Sequence, residues 1–231
     1  MRWLCIVVFV HSLLLFGCTS YHISVPAQDS VQVEYRDGVK IITSDMLRSL
    51  VHFEVAQHTI GGLDNVPLAI FILAQVKKGE DFLFDWDCVW ALQDGKRVEI
   101  LSYETAKQSS LNFGNAIESF GIFTPKETSS SQFISTPSPI LIYRGYPGLF
   151  IYTPWVYGAR DRMEQSERLE ESRRKRSVIL SSYLRKNTLR AGDMPRGGFV
   201  VIDSARVHRG VLEIYVRVAA QTHLLKIMLE K

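Results

Sequence analysis

The chain is poor in the features that most readily disclose a function. It has three cysteines in 231 residues, too few for the disulfide framework that staples small secreted domains. Its formal net charge is only +3, far from the concentrated basic field of a dedicated nucleic-acid binder. No apolar run approaches the roughly 20 residues of a comfortable membrane-crossing helix; residues 4–16 and 66–76 stop well short. The usual enzymatic signatures are also missing: no Gly-x-Ser-x-Gly elbow, no His-Glu-x-x-His, no Cys-x-x-Cys, and no phosphate-cradling loop ending in Lys. His22, His52, His58, His208 and His223 are dispersed, and the six-residue step from His52 to His58 is not a metal-ligand spacing. The sequence therefore assigns no catalytic residue, no cofactor and no metal. What remains is an ordinary globular balance, 46% apolar and 22% charged, which argues for a folded domain rather than a disordered chain.

The most informative stretch is the N-terminus. One positive charge at Arg2 precedes an apolar stretch, residues 4–16, of signal-peptide length. That stretch ends in Leu15-Phe16-Gly17-Cys18. The pattern resembles the lipobox of bacterial lipoproteins: Leu at −3, a small residue at −1 and Cys at +1. The resemblance implies a leader over residues 1–17, cleavage by signal peptidase II, and a diacylglyceryl group on Cys18 with the new amine acylated. Phe16 is bulkier than the residue usual at −2. Two or three chains on one residue hold stably where one is marginal, at about 0.8 kcal/mol per buried CH₂. Thr19 at +2, rather than Asp, implies by the same resemblance an outer-membrane destination facing the periplasm or the exterior. With Cys5 in the leader and Cys18 lipidated, Cys88 is left alone in an apolar context, which predicts a buried, inert thiol.

Residues 18–30 read as a polar tether. From Val31 onward the pattern has period two. Residues 31–35 alternate, Asp37-Gly38 is a hairpin turn, and residues 39–43 and 51–56 continue the alternation. Residues 66–76 form a nearly continuous apolar run, as expected of a strand buried on both faces. Strands are also expected at residues 82–86 and 89–92, and across the Asp94-Gly95 turn into 97–101; 197–202, 211–218 and 223–229 would close the sheet. Short strands with a turn about every ten residues predict an antiparallel β-sandwich. Asn65-Val66-Pro67, Phe82-Leu83-Phe84, the Asp94-Gly95 hairpin and Gly197-Gly198-Phe199-Val200-Val201 resemble a group of envelope lipoproteins without assigned activity. That resemblance implies an immunoglobulin-like sandwich: early strands in 31–101, a mixed insertion in 102–187 and closing strands in 188–231.

The insertion carries the candidate binding residues. Residues 103–119 have weak helical character interrupted at Gly114, and residues 124–139 are a Ser/Thr/Pro-rich loop. Residues 160–186 lack Gly and Pro and predict a helix that docks by Ile179, Leu180, Tyr183 and Leu184. Its basic cluster, Arg173, Arg174, Lys175 and Arg176, suits anionic headgroups; the bland alternative is a solvated flank balanced by Glu164, Glu167, Glu170 and Glu171. Tyr143, Tyr146, Tyr152, Trp155 and Tyr157 flank a Tyr146-Pro147-Gly148 turn. They suit a recognition surface, a glycan-stacking platform, or simply a hairpin covering the sandwich. Asp85 and Asp87 share a face of one expected strand, a placement open to an acid pair or a Ca²⁺ site; flanked by aromatics, they read as the outward side of that strand. The expectation is a non-enzymatic, lipid-anchored envelope protein that binds a protein partner and no nucleic acid. A peptidoglycan- or lipopolysaccharide-binding or -processing module is the alternative.

Overall fold

A computed structural model describes residues 19–29, 31–122, 140–142, 150–152 and 175–231. The chain runs through β1 (Ser20–Ser24), β2 (Val31–Arg36), β3 (Val39–Asp45), β4 (Ser49–Val55) and β5 (Thr59–Gly61). It continues through β6 (Leu68–Val76), β7 (Phe82–Phe84), β8 (Val89–Gln93) and β9 (Lys96–Val98). Helices α1 (Tyr103–Gln108) and α2 (Phe113–Ser119) follow, then β10 (Ile140–Ile142) and β11 (Phe150–Tyr152). Residues 175–181 are helical (α3). β12 (Asn187–Leu189), β13 (Arg196–Ile202), β14 (Gly210–Val218) and β15 (Gln221–Glu230) complete the described chain.

Two antiparallel sheets stack as a sandwich with a helical insertion, as the strand pattern predicts. One sheet has the order β5-β1-β15-β14-β8-β9, the other β13-β6-β4-β3-β2. The late strands contribute to both: β14 and β15 lie inside the first, pairing with β8 and β1, and β13 ends the second, pairing with β6 over seven residues. Alternation explains the core between them. Ile42, Val51, Phe53, Ile70 and Ile72 from one sheet meet Leu212, Ile214, Val216, Leu225 and Ile227 from the other, all buried in one cluster. β6 is buried on nearly every residue because its second face is covered too. Ala69, Phe71 and Leu73 pack with Phe113, Ile117, Phe120, Val178 and Ile179 in a second cluster. The result is three layers: sheet, sheet, helices.

The first core contains a polar bridge. His223 on β15 is fully buried. Its Nδ1 lies 2.9 Å from Ser44 Oγ on β3, and its Nε2 lies 2.8 Å from Ser49 Oγ on β4. Ser49 Oγ donates to Gln221 Oε1 at 2.9 Å, which also accepts from Arg48 N. Having given its one proton to Gln221, Ser49 accepts from Nε2–H, so Nδ1 accepts from Ser44. A neutral imidazole is thus fully satisfied and joins the two sheets. Burial, the first cause, pushes His223 down to about 4.

Four local features differ from the sequence reading. The tether is not a free spacer: Ser20–Ser24 is β1, paired with β15 and β5, with Tyr21 buried. The break between α1 and α2 falls at residues 109–112, and Gly114 lies inside α2, because Asn112 Oδ1 accepts from Gly114 N and starts a new helix. α3 stops at residue 181 rather than near Asn187. There the chain turns extended: Phe199 N donates to Ser182 O and Leu184 N to Phe199 O, so pairing with the β13 edge overrides helix propensity. Finally, β7 ends at Phe84, and Asp85 caps a one-turn 3₁₀ helix, Trp86–Cys88, accepting from Asp87 N. Asp85 and Asp87 therefore do not share a strand face.

Tyr183 docks the helical layer. Its hydroxyl donates to Leu101 O, its ring meets Tyr103 edge-on, and burial raises its pKa above the ordinary range. Tyr183→Phe deletes one buried hydrogen bond and leaves the Leu101 carbonyl short of a donor. It is expected to cost about 1–2 kcal/mol in a urea unfolding titration without altering the far-UV spectrum.

Candidate functional site

The outer face of the six-stranded sheet carries the most suggestive surface. On β14, alternation sends Leu212, Ile214 and Val216 inward and Glu213, Tyr215 and Arg217 outward. The register sets Tyr215 between Leu224 of β15 and Trp90 of β8, and Glu213 between Lys226 and Leu92. Trp90 and Tyr215 stack, with ring centroids 5.4 Å apart and planes within 2°. Tyr215 Oη donates to Glu213 Oε2 at 2.9 Å, and Lys226 Nζ lies 3.6 Å from the same carboxylate. The polar ends of this aromatic row are thereby fixed.

Beside that row, at the β8–β9 edge, opens a groove of about 370 Å³ lined by Trp86, Val89, Trp90, Arg97, Val98, Glu99 and Ile100. Trp86 is 43% exposed. The 3₁₀ turn that Asp85 caps places it there. Glu99 is ion-paired with Arg206. The groove therefore offers one exposed indole, one indole already stacked, a guanidinium and a carboxylate. That chemistry suits contact with a flat apolar partner surface or stacking on a sugar ring. It contains no nucleophile–base pair.

No protein-family model, curated protein or solved structure matches this chain.

The residues singled out from the sequence are placed as follows. Cys18, Tyr143, Tyr146, Trp155, Tyr157, Arg173 and Arg174 lie outside the described residues. Tyr152 ends β11, which pairs antiparallel with β10 in register Ile140 with Tyr152. Lys175 and Arg176 turn toward the fold. Lys175 Nζ reaches Glu118 Oε1 on α2 at 2.6 Å. Arg176 donates to Lys107 O and Leu111 O at 3.3 and 3.4 Å, and its guanidinium lies 5.6 Å from the centre of the Phe113 ring. These cations close the C-terminal end of α1 and clamp α3 to α2.

Cys88 is buried, its thiol pushed up first by burial, with Sγ 3.6 Å from Leu83 O. His52 hydrogen-bonds Thr43 at 2.8 Å, and burial followed by Arg36 lowers its pKa. His208 contacts Asp94 at 2.7 Å. Among the described residues no group of three or more His, Cys, Asp or Glu is arranged to hold a metal ion. Sequence reasoning missed Trp86, Trp90, Arg97, Glu99 and Tyr215 as a group. The only local signal was the alternation that sends Tyr215 outward, and nothing local pairs it with Trp90.

Proposed function

We propose that the protein is a lipid-anchored component of the bacterial cell envelope, held through Cys18 on the outer membrane, that works by binding another envelope protein. The anchor is supported by Leu15-Phe16-Gly17-Cys18 behind a short apolar leader. The binding role is supported by one observation above the others: the groove of Trp86, Val89 and Trp90 continuing into the Trp90–Tyr215–Leu224 row. Tryptophan, tyrosine and arginine are the residues on which interface energy concentrates. The carboxylate and guanidinium of Glu99 and Arg97 beside two indoles favour a second reading, in which peptidoglycan or lipopolysaccharide sugars stack in the groove.

A photoreactive residue at position 86, introduced in the producing cell, separates the two readings. Partner binding predicts a discrete crosslinked envelope protein that is absent when the probe sits at the exposed Lys78. The adduct should fall about tenfold in a Trp90→Ala background. No protein adduct, together with Trp86-dependent retention on purified peptidoglycan or lipopolysaccharide, would replace the first reading with the second.

A further inference from the structure

Residue 18 is one peptide step from Thr19, and Thr19 is already bound into the fold. Its carbonyl accepts from Gly62 N at 3.1 Å, and the next residue, Ser20, opens β1 opposite Gly61. A free spacer over residues 18–30 would have spanned up to about 40 Å. Instead a single residue separates the acylated thiol from the sheet. β1 does not peel away cheaply, since Tyr21 is buried, Ile23 packs against the core, and both edges are hydrogen-bonded.

The loop that holds Thr19 presents a large apolar side chain. Leu63 is 92% exposed. Gly61 and Val66 bond each other reciprocally at 2.8 and 3.2 Å, Asn65 N donates to Gly62 O, and Asn112 N donates to Asn65 O. Gly61 and Gly62 have φ of +78° and +73°, and Asn65 +49°, so the turn is tight and Leu63 is held at its tip. Covalent and hydrogen-bond lengths keep the Cα atoms of residues 18 and 63 within about 15 Å. A lone exposed leucine is ordinary on a protein surface. This one is rigidly fixed beside the attachment point of the lipid.

We infer that the end of the sandwich where β1 begins rests on the bilayer, with Leu63 entering the boundary between headgroups and acyl chains as a second contact beside the anchor. The inference rests on the lipid-anchor reading above. Interfacial contacts of this kind reach about 5–10 Å below the surface, within range of a loop whose base is one residue from the acyl chains. Exposed Arg209 precedes Gly210, which pairs with Leu229, and exposed Lys231 follows Glu230, which pairs with His22. Both cations thus lie at this end, where they meet lipid phosphates. The carboxylates of Asp64 and Glu230 remain in the hydrated headgroup layer.

The test uses the full lipidated protein reconstituted into phosphatidylethanolamine–phosphatidylglycerol vesicles that carry a doxyl-labelled acyl chain. Leu63→Cys, in a Cys88→Ala background, receives an environment-sensitive fluorophore. Leu47→Cys in the same background is the reference; Leu47 is 75% exposed in the β3–β4 turn, about 30 Å away along β15. The label at position 63 is expected to be blue-shifted and quenched at least about twofold more than at position 47. Mass analysis of the N-terminal peptide accompanies the measurement. Acylated Cys18 with position 63 no more quenched than position 47 overturns the bilayer contact and leaves the anchor standing. An unacylated Cys18 overturns both.

Discussion

Gly197→Ala and Gly198→Ala are each expected to abolish cooperative folding of the domain. A Cβ at Gly197 would sit 1.7 Å from Ile72 O, and one at Gly198 would sit 2.6 Å from both Leu184 N and Ser182 O. All three obstacles are backbone atoms that a rotamer change cannot move. They lie on opposite sides: Ile72 belongs to β6, while Ser182 and Leu184 form the extended segment that bonds Phe199. β13 is therefore pinched between two chains, and only glycine fits. Relief would separate β13 from β6, a seven-residue pairing at one side of the five-stranded sheet, or expel the segment that ends α3 and docks Tyr183. Either costs more than about 4 kcal/mol, a large share of the total stability of a domain.

Thermal unfolding followed by near-UV circular dichroism on the mature chain checks this, with Gly95→Ala as the comparison. Gly95 has φ of +73° with nothing within 4 Å of a Cβ, so alanine there meets only backbone strain, about 1–2 kcal/mol. Native-like melting of Gly197→Ala would show that the pinch does not exist.

Acid is expected to weaken the protein through His223, by about 3 kcal/mol between pH 6.5 and pH 4. His223 titrates near 4 in the fold, against 6.5 for an unperturbed imidazole. Between those values the unfolded chain binds a proton that the folded chain refuses. Stability is therefore complete above pH 6.5, falls as pH drops through the window, and levels below about 4. The structural reason is burial: in the core between the two sheets a charged imidazolium would lose its hydration. A backbone hydrogen bond at Ser44 and, after it, the charge of Asp45 oppose the shift only in part. His52, also lowered by burial, adds to the same slope.

Urea titrations across this range measure the effect. His223→Gln should lose about 2–3 kcal/mol at pH 7.5, from imperfect partners for Ser44 and Ser49, and should flatten most of the acid slope. A slope identical to that of the parent protein would remove His223 from the account.

The strand pattern was legible from the sequence because alternation is a local property. The Asp37-Gly38 and Asp94-Gly95 turns lie where expected, both with positive φ across the two residues. β14 follows the apolar–polar rhythm of its residues throughout. Misread elements were those whose local preference was overruled by a distant partner. Residues 20–24 are polar enough to pass for a tether, but β15 and β5 offer two open edges, and backbone pairing captures the chain. Residues 184–186 favour helix, but the edge of β13 claims Leu184. The candidate groove was hidden for the same reason, since Trp90 and Tyr215 are 125 positions apart by their numbers and become neighbours only through the β8–β14 register.

The chain's sequence by itself determined a β-sandwich domain, because periodicity and turn chemistry act over a few residues. Tertiary structure alone decided which strands are neighbours, that helices cover one outer face and an aromatic row marks the other, that His223 bridges the sheets, and that Ser20–Ser24 is captured as a strand. Those outcomes depend on contacts between segments far apart in the chain. Such contacts are selected by mutual fit and hydrogen-bond satisfaction across the whole domain, which no local window of residues encodes.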